Sequence, residues 1–411
     1  MIPELRFPEF VNDGEWVEKT LGLVAEIVTG TTPSTIETIN YNGNRLFVSP
    51  ADINDNRYIT QTKTTLSDIG FSKTRKIKVN SVLFVCIGST IGKVAQNMFE
   101  CATNQQINSL IPYEGNSSDF LYSILDSNSK KIASIAGKHA VPLINKTSFS
   151  AIKLSFPPKL EEQEKIATCF SSLDEVIAAH SQRLDLLIDH KKGLMQNLFP
   201  QEGEKVPKYR FPEFRDDGEW LKDTLVNIAK FRRGSFPQPY GLPEWYDDKN
   251  GMPFIQVFDV GDNFRLKPTT KSKISQSAAV HSVFIKKGTV IITIQGSIGR
   301  VAITQYDAYI DRTLLLFEEF YNEIDKTFFA YTLFLLFEIE KQKAPGGIIK
   351  TITKEVLSDF FIRYPELKEQ QKIASCLSSL DDLITAQTEK IEQLKFHKKG
   401  LMQGLFPKVN I

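Results

Sequence analysis

Cysteine and histidine are scarce in this chain of 411 residues, with 4 and 5 copies. Cys86, Cys101, Cys169 and Cys376 form no CxxC pair and no metal-ligand spacing, so no metal site is expected and a reducing cytoplasm is the expected location. Long hydrophobic runs are also missing. The longest, FFAYTLFLLF from Phe328 to Phe337, is half of the roughly 20 residues a spanning helix needs, which predicts a buried helix instead. The first residues, MIPELRFPEF, lack the basic and apolar regions of a signal peptide. Charge of one sign is absent overall, with a net +1. A nucleic-acid binder of this composition must gather its positive charge on one surface and balance it elsewhere.

Catalytic motifs are missing too. There is no NPPY-like motif for amino methylation, no FxGxG loop for S-adenosylmethionine and no Walker motif for ATP. GSTIGK (Gly88 to Lys93) comes nearest to a phosphate-binding loop, but only three residues separate its glycines and Val94 stands where Ser or Thr is required. No cofactor is expected, and the chain is not expected to be an enzyme.

What the sequence does have is itself, written twice. Leu160 to Pro200 returns as Leu367 to Pro407, a shift of 207 (367 minus 160), with 24 of the 41 aligned positions identical. RFPEFVNDGEWVEKTL (Arg6 to Leu21) returns as RFPEFRDDGEWLKDTL (Arg210 to Leu225). Between these anchors the halves diverge. HKKGLMQNLFP (His190 to Pro200) and HKKGLMQGLFP (His397 to Pro407) differ only by Asn197 against Gly404.

The near-constant stretch reads as a long helix. Pro158 and Pro365 sit where a first turn tolerates proline, Glu161, Glu162 and Glu164 follow near its start, and Lys191 and Lys192 near its end suit the helix dipole. Apolar residues recur at steps of four and three: Ile166, Phe170, Leu173, Ile177, Leu184, Leu187, Leu194, Leu198, and likewise from Ile373 to Leu405. That is a coiled-coil seam. Its mid-helix polar slots, His180 and Gln387, are expected to face each other in an antiparallel pair and fix the register. Gly193 and Gly400 each cost a helix about 1 kcal/mol against alanine. A cost written twice predicts close approach of the sister helix or of a second protein.

The PELRFPEF…GEW opening, the PP-L-EEQ-KIA…LD start of each long helix and its KKGLMQ-LFP end, all in duplicate, resemble the specificity subunits of type I restriction–modification enzymes. The resemblance covers nearly the whole chain. It implies an α/β fold: two mixed α/β target recognition domains, separated by a pair of long antiparallel coiled-coil helices in a pseudo-twofold repeat. The expected boundaries are a first recognition domain at 1–157, a first spacer helix at 158–200, a linker at 201–209, a second recognition domain at 210–365 and a second helix at 366–407. The residues agree, with SVLFVCIG, GTVIITIQG and AIKLSF reading as strands and FLYSILDS and FFAYTLFLLF as helices. The implied partners are double-stranded DNA, read as two half-sites, two methyltransferase subunits docked on the helices, and restriction subunits reached through them. Gly193, Met195, Gly400 and Met402 are the docking candidates. The rival readings are a coiled-coil scaffold that binds only proteins, and a specificity subunit of a related modification enzyme outside type I.

Candidate DNA contacts fall in matched places. The GSTIGK turn offers Ser89, Thr90 and Lys93, and its counterpart QGSIGR offers Gln295, Ser297 and Arg300, as small polar groups and a cation for phosphate. TNQQINS brings Asn104, Gln105 and Gln106, amides of the type that pairs with adenine, where the second half has Asp311 and Arg312, suited to cytosine and guanine. Basic clusters add Lys73, Arg75, Lys76, Lys78 and Lys138 in the first half, and Arg232, Arg233 and Lys343 in the second.

Overall fold

The computed structural model describes residues 1–408 apart from 55, 138–141, 262 and 344–353. The chain forms two compact units, one of residues 1–181 with 389 onward, the other Gln182–Thr388. Two helices of 38 and 39 residues, Leu160–Asn197 and Leu367–Leu405, run through both units. Each unit therefore draws its helical part from two distant places in the chain.

The globular part has the same plan in both units. In the first, a five-stranded sheet has the order Ala25–Thr29, Ile107–Pro112, Val82–Val85, Val94–Asn97, Tyr58–Ile59. A four-stranded sheet has the order Thr64–Leu66, Tyr41–Val48, Cys101–Thr103, Lys76–Ile77, its middle pair parallel. In the second unit the sheets run Ala229–Arg233, Leu314–Phe320, Val290–Thr293, Val301–Ile303 and Ser272–Ile274, Met252–Ile255, Ala308–Ile310, Val283–Ile285. Again one pair, Met252–Ile255 with Ala308–Ile310, is parallel. The central strands Val82–Val85 and Val290–Thr293 are buried at every residue, as the unbroken apolar runs VLFV and VIIT require. The expected helices form as Ser118–Ser134 and Lys326–Lys343. FFAYTLFLLF belongs to the latter, and no helix of the described residues is long and apolar enough to cross a membrane.

Within each unit the two helical stretches are antiparallel. In the first, Phe170 stacks on Phe406 with centroids 5.7 Å apart, and Asp174 pairs with Lys398 at 2.7 Å, so rising numbers on one helix meet falling numbers on the other. In the second, Lys191 pairs with Asp381 at 2.5 Å. Each LFP tail ends in a core of aromatic rings. Phe406 packs with Trp16, Phe120 and Phe170, and Phe199 packs with Trp220 and Phe328. Burying one such side chain contributes about 1.5–3 kcal/mol.

Candidate nucleic-acid interface

The repeated spelling outside the seam holds each globular part to its helix. Arg6 donates from Nε and Nη2 to the two oxygens of Glu162 at 2.8 and 2.7 Å. Arg210 does the same to Glu369 at 2.9 and 2.7 Å. These pairs are almost dry, with side-chain exposures of 6% and 1% in the first and 11% and 2% in the second. A forked arginine on a carboxylate fixes orientation as well as distance. The next helix residue, Gln163 or Gln370, accepts the backbone N–H of Ser117 or Asp325 at the start of the domain helix, at 3.0 and 2.9 Å. Two turns of sequence, RFPEF and EEQ or KEQ, thus bolt a variable domain to a constant rod.

Opposite these clamps in the chain's logic lie two short turns. Residues 104–106 join the strand Cys101–Thr103 of one sheet to Ile107–Pro112 of the other, and residues 311–313 join Ala308–Ile310 to Leu314–Phe320. A glycine presses a second loop on each turn. A Cβ on Gly30 would sit 2.1 Å from the carbonyl oxygen of Asn104, and one on Gly234 would sit 2.3 Å from that of Ile310. The third member is the GSTIGK or QGSIGR turn. Cys86 N donates to Gln106 O at 2.8 Å and Ile294 N to Thr313 O at 3.0 Å. The two groups of candidates that the sequence offered separately are therefore neighbours in each unit.

Inside the turns the side chains divide. Asn104 donates from Nδ2 to Gln106 Oε1 at 2.9 Å and accepts the Gln106 N–H at 3.1 Å, while Gln106 also reaches Ile87 O at 3.3 Å. Asp311 is 2% exposed and accepts from the hydroxyls of Thr313 and Tyr240 at 2.5 and 3.1 Å. Gln105 and Arg312, between them, are exposed. Ser89 and Ser297 are exposed, Thr90 and Gln295 half-buried. Lys93 points back into its domain, donating to Ile53 O at 2.7 Å, and Arg300 reaches Val260 O at 3.4 Å. Each of these cations ties down a neighbouring loop.

The basic clusters are partly occupied. Lys73 pairs with Glu37 at 2.6 Å and holds that carboxyl below its usual range. Arg75 donates to Thr29 O at 2.7 Å, beside Gly30, and Arg232 pairs with Glu318 at 2.5 Å. Lys76 lies over the Phe71 ring at 5.6 Å, and Lys78 and Arg233 are exposed. Lys138 and the side chain of Lys343 lie outside the described residues. Among the described residues no group of histidine, cysteine and carboxylate side chains could hold a metal. Burial pushes the Cys86 and Cys101 thiols up to about 12, which keeps them protonated.

A family model described as the type I restriction modification DNA specificity domain matches residues 13–187 and again 225–395. The chain belongs to that family. The specificity subunit is 26% identical over 374 residues to the MjaX type I restriction enzyme specificity subunit of Methanocaldococcus jannaschii, spanning 84% of each chain. Its fold matches the type I restriction–modification S subunit of M. genitalium with a TM-score of 0.66, at 16% identity and over 100% of both chains. A chain from a study of complex assembly in the type I R-M system matches with a TM-score of 0.59, at 19% identity, over 95% and 97% of the two chains.

The helix residues of this specificity subunit hold further features. His180 is half-buried in the first unit, while Gln387 is 8% exposed in the second. The charged layers in the seam are Lys398 with Asp174 and Lys191 with Asp381, the latter also accepting from Tyr331 Oη at 2.5 Å. Sequence reasoning assigned Lys191 to the helix dipole and passed over the aspartates. The signal was there, since Lys191 and Lys398 fall on the four-three spacing of the apolar residues. Nothing lies within 4 Å of a Cβ placed on Gly193 or Gly400, so among the described residues nothing packs where their side chains would stand. Met195 is 6% exposed in the core of the second unit, and Met402 packs on that of the first. Of the three long-helix glycines, Gly404 has a close neighbour: a Cβ there would meet Leu5 Cδ1 at 2.5 Å. Leu5 N also donates to Gly404 O at 2.8 Å, as Tyr209 N does to Asn197 O at 2.9 Å. At the matching position Asn197 turns its side chain back along its own helix, donating from Nδ2 to Gly193 O at 2.6 Å.

Proposed function

We propose that this specificity subunit selects a two-part, asymmetric DNA sequence, one half per unit, and carries no chemistry of its own. Methyltransferase subunits dock on the paired helices and bring restriction subunits with them. The observation that carries this reading is the pairing of sameness and difference. Both units hold the same turn in the same frame, pinned by Gly30 or Gly234, yet expose Gln105 in one and Arg312 in the other. A protein scaffold has no need of unlike side chains on matched tips, whereas a reader of unlike half-sites does. The exposed cations Lys76, which pairs across the sheet with Ala102 just before the first turn, and Arg233, next to Gly234, suit phosphate contacts. So does the exposed Lys78, just past the end of the Lys76 strand.

Mapping methylated bases across the source genome, with and without this gene, tests the proposal. One interrupted, asymmetric sequence should lose its methylation when the gene is deleted. Unchanged methylation, or a site that is continuous, overturns it. Replacing Lys76 and Lys78 by alanine should weaken binding to all duplexes alike and lower the salt slope by about one unit per contact.

A further inference from the structure

Gln105 and Arg312 hold equivalent places, and we propose that they are the base readers of their units, Gln105 for adenine and Arg312 for guanine. The inference rests on the DNA-recognition reading above and narrows it to one side chain per unit.

The turns offer three side chains each, and the structure removes two from each set. Asn104 and Gln106 satisfy one another and Ile87 O. Asp311 is buried beneath the Thr313 and Tyr240 hydroxyls. These bonds hold the three side chains within the turn, and none of the three is exposed. Gln105 and Arg312 are exposed, and each is steadied by a residue of the loop that follows Gly30 or Gly234. Thr32 donates its hydroxyl to Gln105 Oε1 at 2.5 Å. That leaves the amide one free lone pair and both N–H donors, which is what adenine N6 and N7 require. In the second unit the Arg312 guanidinium lies 5.4 Å from the centroid of the Tyr240 ring. Tyr240 Oη is fixed between Gln256 Nε2 at 2.8 Å and Asp311 Oδ1 at 3.1 Å. Burial and the Asp311 charge raise its phenol above the usual value, so the ring stays neutral under the cation. The cation–π contact holds the guanidinium against the ring and leaves its donor fork for guanine O6 and N7. Thr32 and Tyr240 are positioning residues; Gln105 and Arg312 make the contact.

The test is selection from a randomised duplex library by the full-length chain assembled with the methyltransferase subunits of its own system. Gln105→Arg should move one base pair of one half-site from A·T to G·C and leave the other half-site unchanged. Arg312→Gln should make the reverse change in the other half-site. Each should alter discrimination at that position by about ten-fold or more. Tyr240→Ala should lower the guanine preference several-fold without selecting a new base, and Tyr240→Phe, which keeps the ring, should retain most of it. Both half-sites surviving intact in the two reader variants, or shifting together in either, overturns the assignment while the DNA reading stands. A wild-type complex that selects no sequence overturns both. Tyr240→Ala with undiminished discrimination overturns the role given to the ring.

Discussion

The two clamps are spelled alike and are not equally satisfied. Glu162 accepts from Arg6 and also from Trp16 Nε1 at 3.1 Å, whereas Nε1 of Trp220, the counterpart of Trp16 in the repeat, is buried without an acceptor among the described residues. The seam pairs differ in the opposite sense. Asp381 has Lys191 and the Tyr331 hydroxyl, while Asp174 has Lys398 but a second oxygen that is buried without a partner, and the half-buried Asp126 adds like charge nearby. Duplication preserved which residues meet, and later drift redistributed how well they are satisfied. Each unit has one tight joint and one slack one.

The largest expected effect tests the clamps. Glu162→Ala strands a buried arginine and should destabilise the first unit by about 3–5 kcal/mol. Glu369→Ala should cost the second unit about 1 kcal/mol less, because Trp220 has no bond to lose. Hydrogen exchange resolved by residue reports each unit separately, and equal losses would break the comparison.

Next come the seam pairs. Lys398→Ala leaves Asp174 with no partner and should cost about 2 kcal/mol. Lys191→Ala leaves Asp381 with the tyrosine hydroxyl and should cost about 1 kcal/mol. Urea melts of the two variants should rank in that order, and the reverse order would mean that the Lys191 contacts with the Phe264 and Tyr331 rings, at 4.9 and 5.3 Å, outweigh the hydroxyl support of Asp381.

Gly193→Ala and Gly400→Ala sharpen the comparison from outside it. Open space at both positions predicts that each raises the stability of the isolated chain, by up to about 1 kcal/mol. If methyltransferase subunits press on these glycines, the same changes weaken assembly, which titration of the partner against each variant would detect. A more stable chain that assembles as before would leave docking to other residues.

The smallest effect is a pH dependence confined to the first unit. Burial, with Asp174 adding to it, holds Asp126 above the ordinary aspartate range. The folded state therefore favours the protonated form, and this contribution fades as pH rises from the unfolded value through the folded one. Asp126→Asn should flatten that decline in pH-dependent melting, and an unaltered profile would place the cause elsewhere.

Much of the architecture was legible in the sequence because duplication marks what must be kept. Seam spacing followed from periodicity, and the buried strands SVLFVCIG and GTVIITIQG from their apolar runs. The dipole reading of the basic helix ends did not hold: neither last turn carries a basic residue, and Lys191 pairs with Asp381 instead. The Arg6–Glu162 clamp was not legible, although both residues stand in repeated words. They are 156 positions apart, and a pattern in one word carries no pointer to the other. Thr32 and Tyr240 lie where the halves diverge, so nothing in their spelling ties them to Gln105 and Arg312. The roles of Gly30 and Gly234 depend on backbone approach, which a letter cannot show. Charge counting overstated the free cations, since Lys73, Lys93 and Arg232 turn to acceptors of the chain itself.

The backbone link from Leu5 to Gly404 matches that from Tyr209 to Asn197, and Lys408 pairs with Glu4 at 2.7 Å. The first and last described segments thus meet as the interior segments on either side of residues 201–208 do. The same backbone link joins a helix end to the segment that opens the globular part in each unit, so each unit is closed by a contact of its own.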